Sequence, residues 1–278
     1  MSMRRNTLIL ITTILVVSVV GIYTAYRFLP QRPAEELKVF AAASLTKPFQ
    51  SLQYDFERMY NARLVFNFAG SSFLNTQIIQ GSPCDVFASA NTKEMNYVKN
   101  ANLLKNGSII FAHNSIIIIV AKSSTSKVSS LFDLTKSGVR IVMADKSVPA
   151  GSYTALVLAK VDVTYGNSSS LLYRGTEYEN FSKKVFANVI SYETDVEQVV
   201  TKTAIGTADV GFAYRSDAVN RSKEIGFIEI PSEVNQIAIY SIGIINTTSH
   251  AELAQKFIDY VTSSEGQKAL IDAGFQGQ

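Results

Sequence analysis

From residue 37 onward, short runs of β-branched and aromatic residues alternate with stretches whose apolar positions recur every three or four residues. Val39-Phe40-Ala41-Ala42-Ala43-Ser44-Leu45 reads as a buried strand ending in small residues. Phe49, Leu52, Phe56 and Met59 follow at helical spacing. Ser44 or Thr46 stands where it can cap that helix, with Pro48 in the first turn. A second strand over 64–68 ends in Ala69-Gly70-Ser71-Ser72. The helix after it carries Leu74, Ile78 and Ile79 and stops with Gly81 at C′. A short strand over 85–88 leads to a helix capped by Asn91 and bearing Met95, Tyr97 and Val98.

The run 115–121 is the most apolar β-branched stretch after the N-terminus and predicts a central strand buried on both faces. A polar loop over 123–130, a helical turn over 131–134 and a strand over 140–144 precede Pro149-Ala150-Gly151-Ser152-Tyr153. That run opens a helix with Ala155, Leu156, Leu158 and Val161. A strand near 189–191, a helix capped by Asp195, a strand over 210–214 and another over 237–245 come next. Two amphipathic helices, 250–261 and 264–273, close the chain, the second with a capping box in Ser264 and Gln267. The alternation predicts an α/β fold.

Three strand-to-helix corners, at 41–45, 69–72 and 149–152, share small residues and hydroxyls and carry no charge. Helix starts present N–H groups with partial positive charge, so each corner can seat an anion. Right-handed crossovers put strand ends of one direction on one edge, where Ser44 and Ser71 can meet one ligand. Gly151 is expected to remove a side chain that would block a close ligand. On its own stretch, Ser44 as a helix cap is the plainer reading.

Composition narrows the field. A chain of 278 residues has room for two lobes, and 47% hydrophobic residues supply a sizeable core. A net charge of +3 with no basic cluster beyond the N-terminus gives no case for nucleic acid. One cysteine, Cys84, excludes an intrachain disulfide and a multi-thiolate metal site, and is expected to be a small buried thiol. Arg4 and Arg5 precede an uncharged apolar stretch from Asn6 to Tyr26 that is long enough to span a bilayer. No small-x-small cleavage site closes it. Residues 1–28 are therefore expected to be a retained signal anchor with the N-terminus inside, a cleaved signal peptide being the alternative. Residues 29–36, with Pro30 and Pro33, read as a tether that holds the rest outside the cytoplasmic membrane. Five Asn-x-Ser/Thr sequons, at Asn106, Asn167, Asn180, Asn220 and Asn246, fit an outward domain without requiring one.

The runs 40–45, 68–72, 85–90, 148–153 and 211–219, taken in order, resemble the periplasmic molybdate-binding proteins of ABC transporters. The resemblance covers about 37–275. It implies a two-lobe type II periplasmic binding-protein fold with the ligand in the cleft. Lobe 1 would be 37–115 with 239–278, and lobe 2 would be 116–238. It further implies that Ser44 and Ser71 in the first lobe and Ala150, Val196 and Tyr214 in the second hold the oxyanion, Ala150 and Val196 through main chain alone. Partners implied are molybdate or tungstate and the permease subunits of a transporter; no cofactor is implied, and a monomer is expected. Some relatives add two carboxylates to the metal. Glu193 lies near one of those positions and Val148 at the other, so four-coordinate binding is expected, with Glu193 a solvated loop residue; Glu193, with Asp145 nearby, is the alternative metal ligand.

An all-donor pocket suits a fully deprotonated dianion, which has acceptors only. Sulfate or phosphate is the nearest alternative ligand. A serine hydrolase is the rival from another class: Ser44 or Ser71 would need a base, the only histidines are His113 and His250, and neither belongs to a catalytic motif. The expected role is binding, not catalysis.

Overall fold

A computed structural model describes Ser18 and residues 34–277 apart from Ser126. Contacts divide the chain into Met1–Ala34 and Glu35–Gln278, and the second unit holds the fold. The expected span at 1–28 and most of the tether at 29–36 lie outside the described residues, among which no helix is long and apolar enough to cross a membrane. The tether ends early: Glu35 and Glu36 already belong to the first strand, paired with Ala62 and Arg63.

In chain order the elements are β1 Glu35–Ala42, α1 Thr46–Tyr60, β2 Ala62–Ala69, α2 Ser71–Ile79, β3 Val86–Ser89, α3 Thr92–Asn100 and β4 Leu104–Ala121. There follow β5 Ile141–Ala144, α4 Pro149–Thr164, α5 Phe181–Ala187, β6 Val189–Glu193, α6 Val196–Ala204 and β7 Val210–Tyr214. The chain closes with α7 Arg215–Asn220, β8 Ile225–Glu229, β9 Ile237–Ile245, α8 Ala251–Thr262 and α9 Ser264–Asp272. Short 3-10 turns, Ala43–Leu45, Lys122–Ser124, Phe132–Thr135 and Thr176–Tyr178, link them.

The strands run in the order β2-β1-β3-β9-β4-β7-β5-β6, with β8 also on β4. β1 is parallel to β2 and to β3, and β5 is parallel to β6 and to β7. These two parallel sets are joined by two antiparallel strands, β9 and the 18-residue β4. β4 pairs with β9 from Leu104 to Ser115, then with β7 and β8 from Ile116 to Ala121. Ile116 to Ala121 are all buried, as a strand covered on both faces requires. The predicted strand at 115–121 is thus the second half of a longer one, whose polar first half, Lys105-Asn106-Gly107-Ser108, hid it.

Several local expectations shift for tertiary reasons. Phe49, Leu52 and Phe56 are buried but Met59 is 60% exposed. Tyr60 takes the last inward position of α1 instead, its ring 4.7 Å from that of Phe56. Tyr97 also faces outward. Ser264 does not cap α9. With one residue between α8 and α9, Ser263 caps it, accepting from the Gly266 N–H. Asn91 and Asp195 cap as expected, each accepting from the N–H three residues on. α5 and β8 fall in stretches whose pattern was too short to read. Cys84 is buried, and burial pushes its thiol up to about 12, an inert state.

The starts of β5 and β7 are locked together by Asp209, which is 4% exposed. Its carboxylate accepts from Arg140 N at 2.8 Å, Lys127 Nζ at 2.8 Å and Ser124 Oγ at 2.8 Å. Burial opposes ionisation there, yet these donors hold the carboxyl well below the usual range. The register so fixed sets where the other ends of β5 and β7 emerge.

Candidate functional site

The ends of six strands, three from each parallel set, open on one place. After β1 come Ala42, Ala43 and Ser44; after β2, Gly70 and Ser71; after β3, Ala90. After β5 come Val148, Pro149 and Ala150; after β6, Asp195 and Val196; β7 itself ends on Tyr214. These residues line a single small cavity. Carboxyl ends of parallel strands are where α/β proteins place ligands. A cavity this small suits a small ion and not a drug-sized molecule.

Helix starts supply the field. The N-cap residues of α2 and α4 are Gly70 and Val148, and Ala42 precedes the 3-10 turn 43–45; none offers a side-chain cap. Their first N–H groups have no intrahelical partner and are left for a ligand. Only α6 is capped. Asp195 puts a carboxylate at the rim of a cavity expected to have none, but both its oxygens turn to its own helix, Oδ1 to Gln198 N and Oδ2 to Gln198 Nε2. No lysine, arginine or histidine lines the cavity among the described residues.

Ser44 and Ser71 are 3% and 1% exposed. Ser44 does not cap α1: it lies in the 3-10 turn, and its Oγ is 2.8 Å from Tyr240 Oη. Ser71 Oγ accepts from Ala90 N at 3.1 Å, which leaves its proton free. Tyr214 is 1% exposed, and its hydroxyl has no hydrogen-bond partner. Burial, reinforced by the neighbouring Tyr240, pushes that phenol well above 10, so it remains a donor. The Tyr214 N–H donates to Asp217 Oδ2 at 2.9 Å, which fixes the end of β7. Burial, then the charge of Glu197, pushes Asp217 up to about 8, so at neutral pH most of it carries no charge beside the cavity.

All five residues singled out in the sequence, Ser44, Ser71, Ala150, Val196 and Tyr214, therefore meet at one cavity. Glu193 does not join them. It is no solvated loop residue but the buried end of β6, its carboxylate accepting from Ser191 Oγ at 2.7 Å and paired with Lys202. Its carboxylate is engaged with α6 and does not line the cavity. Gly151 also departs from expectation: a Cβ there would meet the carbonyl oxygens of Asp145 and Ala144 at 2.0 and 2.4 Å, so the glycine serves helix-on-strand packing, not ligand access. Ala90, though inside the run 85–90, was not singled out, and Tyr240, which stands against Ser44, was missed because nothing in its own segment marks it.

Neither histidine can serve the serines as a base. His113 lies on β4, paired through its backbone with Gln276, and His250 stands beside Asp85 at the start of α8.

Comparison with known proteins adds four findings. The family model of the bacterial extracellular solute-binding proteins matches residues 37–276. The molybdate-binding protein ModA of Mycobacterium tuberculosis is 33% identical over 247 residues, 88% of this chain and 86% of that protein. Among solved structures, the periplasmic molybdate-binding protein of Azotobacter vinelandii superposes with a TM-score of 0.73 at 19% identity, over 86% of this chain and 98% of the other. The sulfate-binding protein SubI of M. tuberculosis gives 0.75 at 14%, over 87% of each. At those identities the two structures establish the fold alone, the α/β fold of periplasmic binding proteins.

Proposed function

The chain belongs to the bacterial extracellular solute-binding proteins, and from that premise we infer that it captures molybdate, and tungstate with it, outside the cytoplasmic membrane and hands it to the permease of an ABC transporter. The observation that carries the reading is the Tyr214 hydroxyl, a buried donor bonded to nothing in the protein, at a cavity fed by uncapped helix starts. Leaving such a group unpaired costs about 1–3 kcal/mol, which a ligand with acceptor oxygens recovers. The hydroxyls of Ser44, Ser71 and Tyr214 and the N–H groups of Ala150 and Val196 are the proposed donors. The metal stays four-coordinate inside its oxygens. A long metal–oxygen bond fills the cavity where the smaller sulfate sits loosely.

In this reading lobe 1 is 37–115 with 239–278 and lobe 2 is 116–238, with β4 and β9 as the crossings. Closure of one on the other buries the anion. Residues 1–28 are proposed as the retained anchor. One chain supplies every donor, so a monomer suffices, and no catalytic step is needed. The relative at 33% identity carries the molybdate assignment; the shared fold of a sulfate-binding protein makes sulfate the second reading.

Calorimetric titration with molybdate, tungstate, sulfate and phosphate tests this. Molybdate and tungstate are expected to bind tightly and at similar strength, with sulfate and phosphate at least about tenfold weaker. Sulfate binding as strong as molybdate would refute the assignment. Within the site, Ser44→Ala and Tyr214→Phe are each expected to weaken molybdate by roughly 1–3 kcal/mol, the worth of a hydrogen bond to a charged group. Wild-type affinity in both variants would place the ligand elsewhere.

A further inference from the structure

Two corners that each carry a proposed donor are joined to one another outside the cavity. Ser44 stands just before Lys47, and Thr46 Oγ1, donating to Ala43 O at 2.6 Å, binds the 3-10 turn 43–45 to the start of α1. Leu45 and Phe49 are fully buried on either side, so Lys47 projects from a fixed corner although its own side chain is exposed. Its Nζ donates to Asn220 O at 2.6 Å, a partner 173 positions away. Asn220 closes α7, the short helix that begins directly after Tyr214, and the last carbonyls of a helix have no partner of their own. α7 is fixed as well: Ser216 and Asp217 are buried, and Asp217 Oδ2 accepts from the Tyr214 N–H.

We propose that Lys47 is a positioning residue for the bound oxyanion: by donating to Asn220 O it fastens the corner that carries Ser44 to the helix that follows Tyr214, and so sets how slowly the closed cleft gives the ion up. Lys47 does not line the cavity, so it acts through the two corners and not on the ion. A cation at the C-terminal end of a helix is favoured by the helix dipole as well as by the bond itself. Arg221, next in the chain, donates from Nη2 to Glu197 Oε2 at 3.2 Å, which ties the same end of α7 to α6, the helix that starts with Val196. Through Asn220 and Arg221 one ammonium thus reaches three of the five proposed donors. Two other contacts bring α7 against the proposed lobe 1. Asn114 Nδ2 donates to Ser216 Oγ at 2.8 Å, and a Cβ on Gly274 would meet Val219 Cγ2 at 2.9 Å and Ser216 Cα at 3.0 Å. Asn114 lies on β4, a crossing, where the lobes stay joined in any position. Lys47 and Asn220 lie on neither crossing, so opening of the cleft by more than a few ångströms has to break their bond.

The inference rests on the oxyanion-binding reading and the lobes proposed above, and the test separates it from them. The full-length protein and its Lys47→Met variant, which keeps an unbranched stem but no donor, are loaded with labelled molybdate and chased with an excess of unlabelled molybdate to give the release rate. Stopped-flow tyrosine fluorescence gives the association rate, the chain having no tryptophan. Release is expected to quicken by at least about threefold, a modest factor because the bond lies at an exposed rim. Association should stay within about twofold, and the effect should persist at about 1 M salt, where charges are screened beyond roughly 3 Å. A lysine that only attracted the dianion from a distance would slow association at low salt and leave release unchanged. That result overturns the proposal, as does any smaller rise in the release rate. Lys47→Arg keeps a donor of similar reach and is expected to release more slowly than Lys47→Met; if it releases as fast, the donor is not what matters and the proposal fails. A wild-type protein that takes up none of molybdate, tungstate, sulfate and phosphate would sink the oxyanion reading itself, whereas one that binds with Lys47 playing no part sinks this inference alone.

Discussion

Gly151→Ala is expected to lower the melting temperature of the protein by roughly 2–12 °C and to reduce molybdate binding by at least about a hundredfold. A methyl group at this position would sit 2.0 Å from the carbonyl oxygen of Asp145, 2.4 Å from that of Ala144 and 2.5 Å from the Asp145 carbonyl carbon. All three are backbone atoms at the end of β5, and no side-chain rotation relieves them. The first turn of α4 must therefore retreat by more than about 1 Å from the strand. Overpacking of this kind costs about 1–3 kcal/mol, and each kcal/mol is worth about 2–4 °C in a chain of this size. The same turn carries Val148, Pro149 and Ala150 to the cavity, so its displacement removes more than one donor at a time, each worth about 1.5–3 kcal/mol against a charged partner. Gly226→Ala is the control, since its nearest neighbour to a Cβ is 3.6 Å away. Thermal melts and calorimetry on the two variants check the contrast; wild-type behaviour of Gly151→Ala in both would mean that α4 does not pack on β5 in this way.

What the sequence made legible and what it hid divide along the range of the interactions. The corners at 41–45, 69–72 and 149–152 could be read because a strand pattern, a run of small residues and a helix pattern lie within about fifteen positions of each other. The meeting of their serines followed from crossover handedness, a rule of topology that needs no contact information. Asn91 and Asp195 were legible as caps because a cap bonds three residues ahead. The second tier around the cavity is different. Ser44 and Tyr240 are separated by 196 positions, and Asn114 and Ser216 by 102; no window along the chain contains either pair. Glu193 was misread for a different reason: its partner Lys202 is close in sequence, but the two meet only because α6 folds back along β6, and burial of a carboxylate depends on that partner. Glycines mislead in a further way. Gly151 was expected to leave room for a ligand, whereas the space it leaves is filled by the protein's own backbone.

Gly70 carries the second large effect, and here stability and binding should part company. Its backbone, φ −58° and ψ 134°, is open to any residue, so no conformational need explains the glycine. A Cβ at 70 would instead lie 2.5 Å from the Thr194 carbonyl oxygen, 3.3 Å from Val148 Cγ1 and 3.7 Å from Asp195 Cβ. Those three residues belong to the segment proposed as lobe 2, and Gly70 to lobe 1, so the missing methyl is what lets the two sides of the cavity touch. In Gly70→Ala the sides must stay roughly 0.7–1 Å further apart to restore an ordinary contact. Bonds of about 2.8 Å to an anion held between Ser71 on one side and Ala150 and Val196 on the other would then stretch beyond hydrogen-bond range on one side or the other. The ligand-free fold has no reason to suffer, because it can rest with the cleft open. The expected result is a melting temperature within about 2 °C of the wild type without ligand. Molybdate affinity should fall by roughly 3–6 kcal/mol, on the order of a thousandfold, from the joint loss of two donors, and the thermal shift that molybdate gives the wild type should disappear. Melting curves with and without molybdate, beside calorimetry, read all three. Tight binding by Gly70→Ala would mean that the bound state does not bring Gly70 against Thr194, and the closing movement proposed for the two lobes would have to be given up.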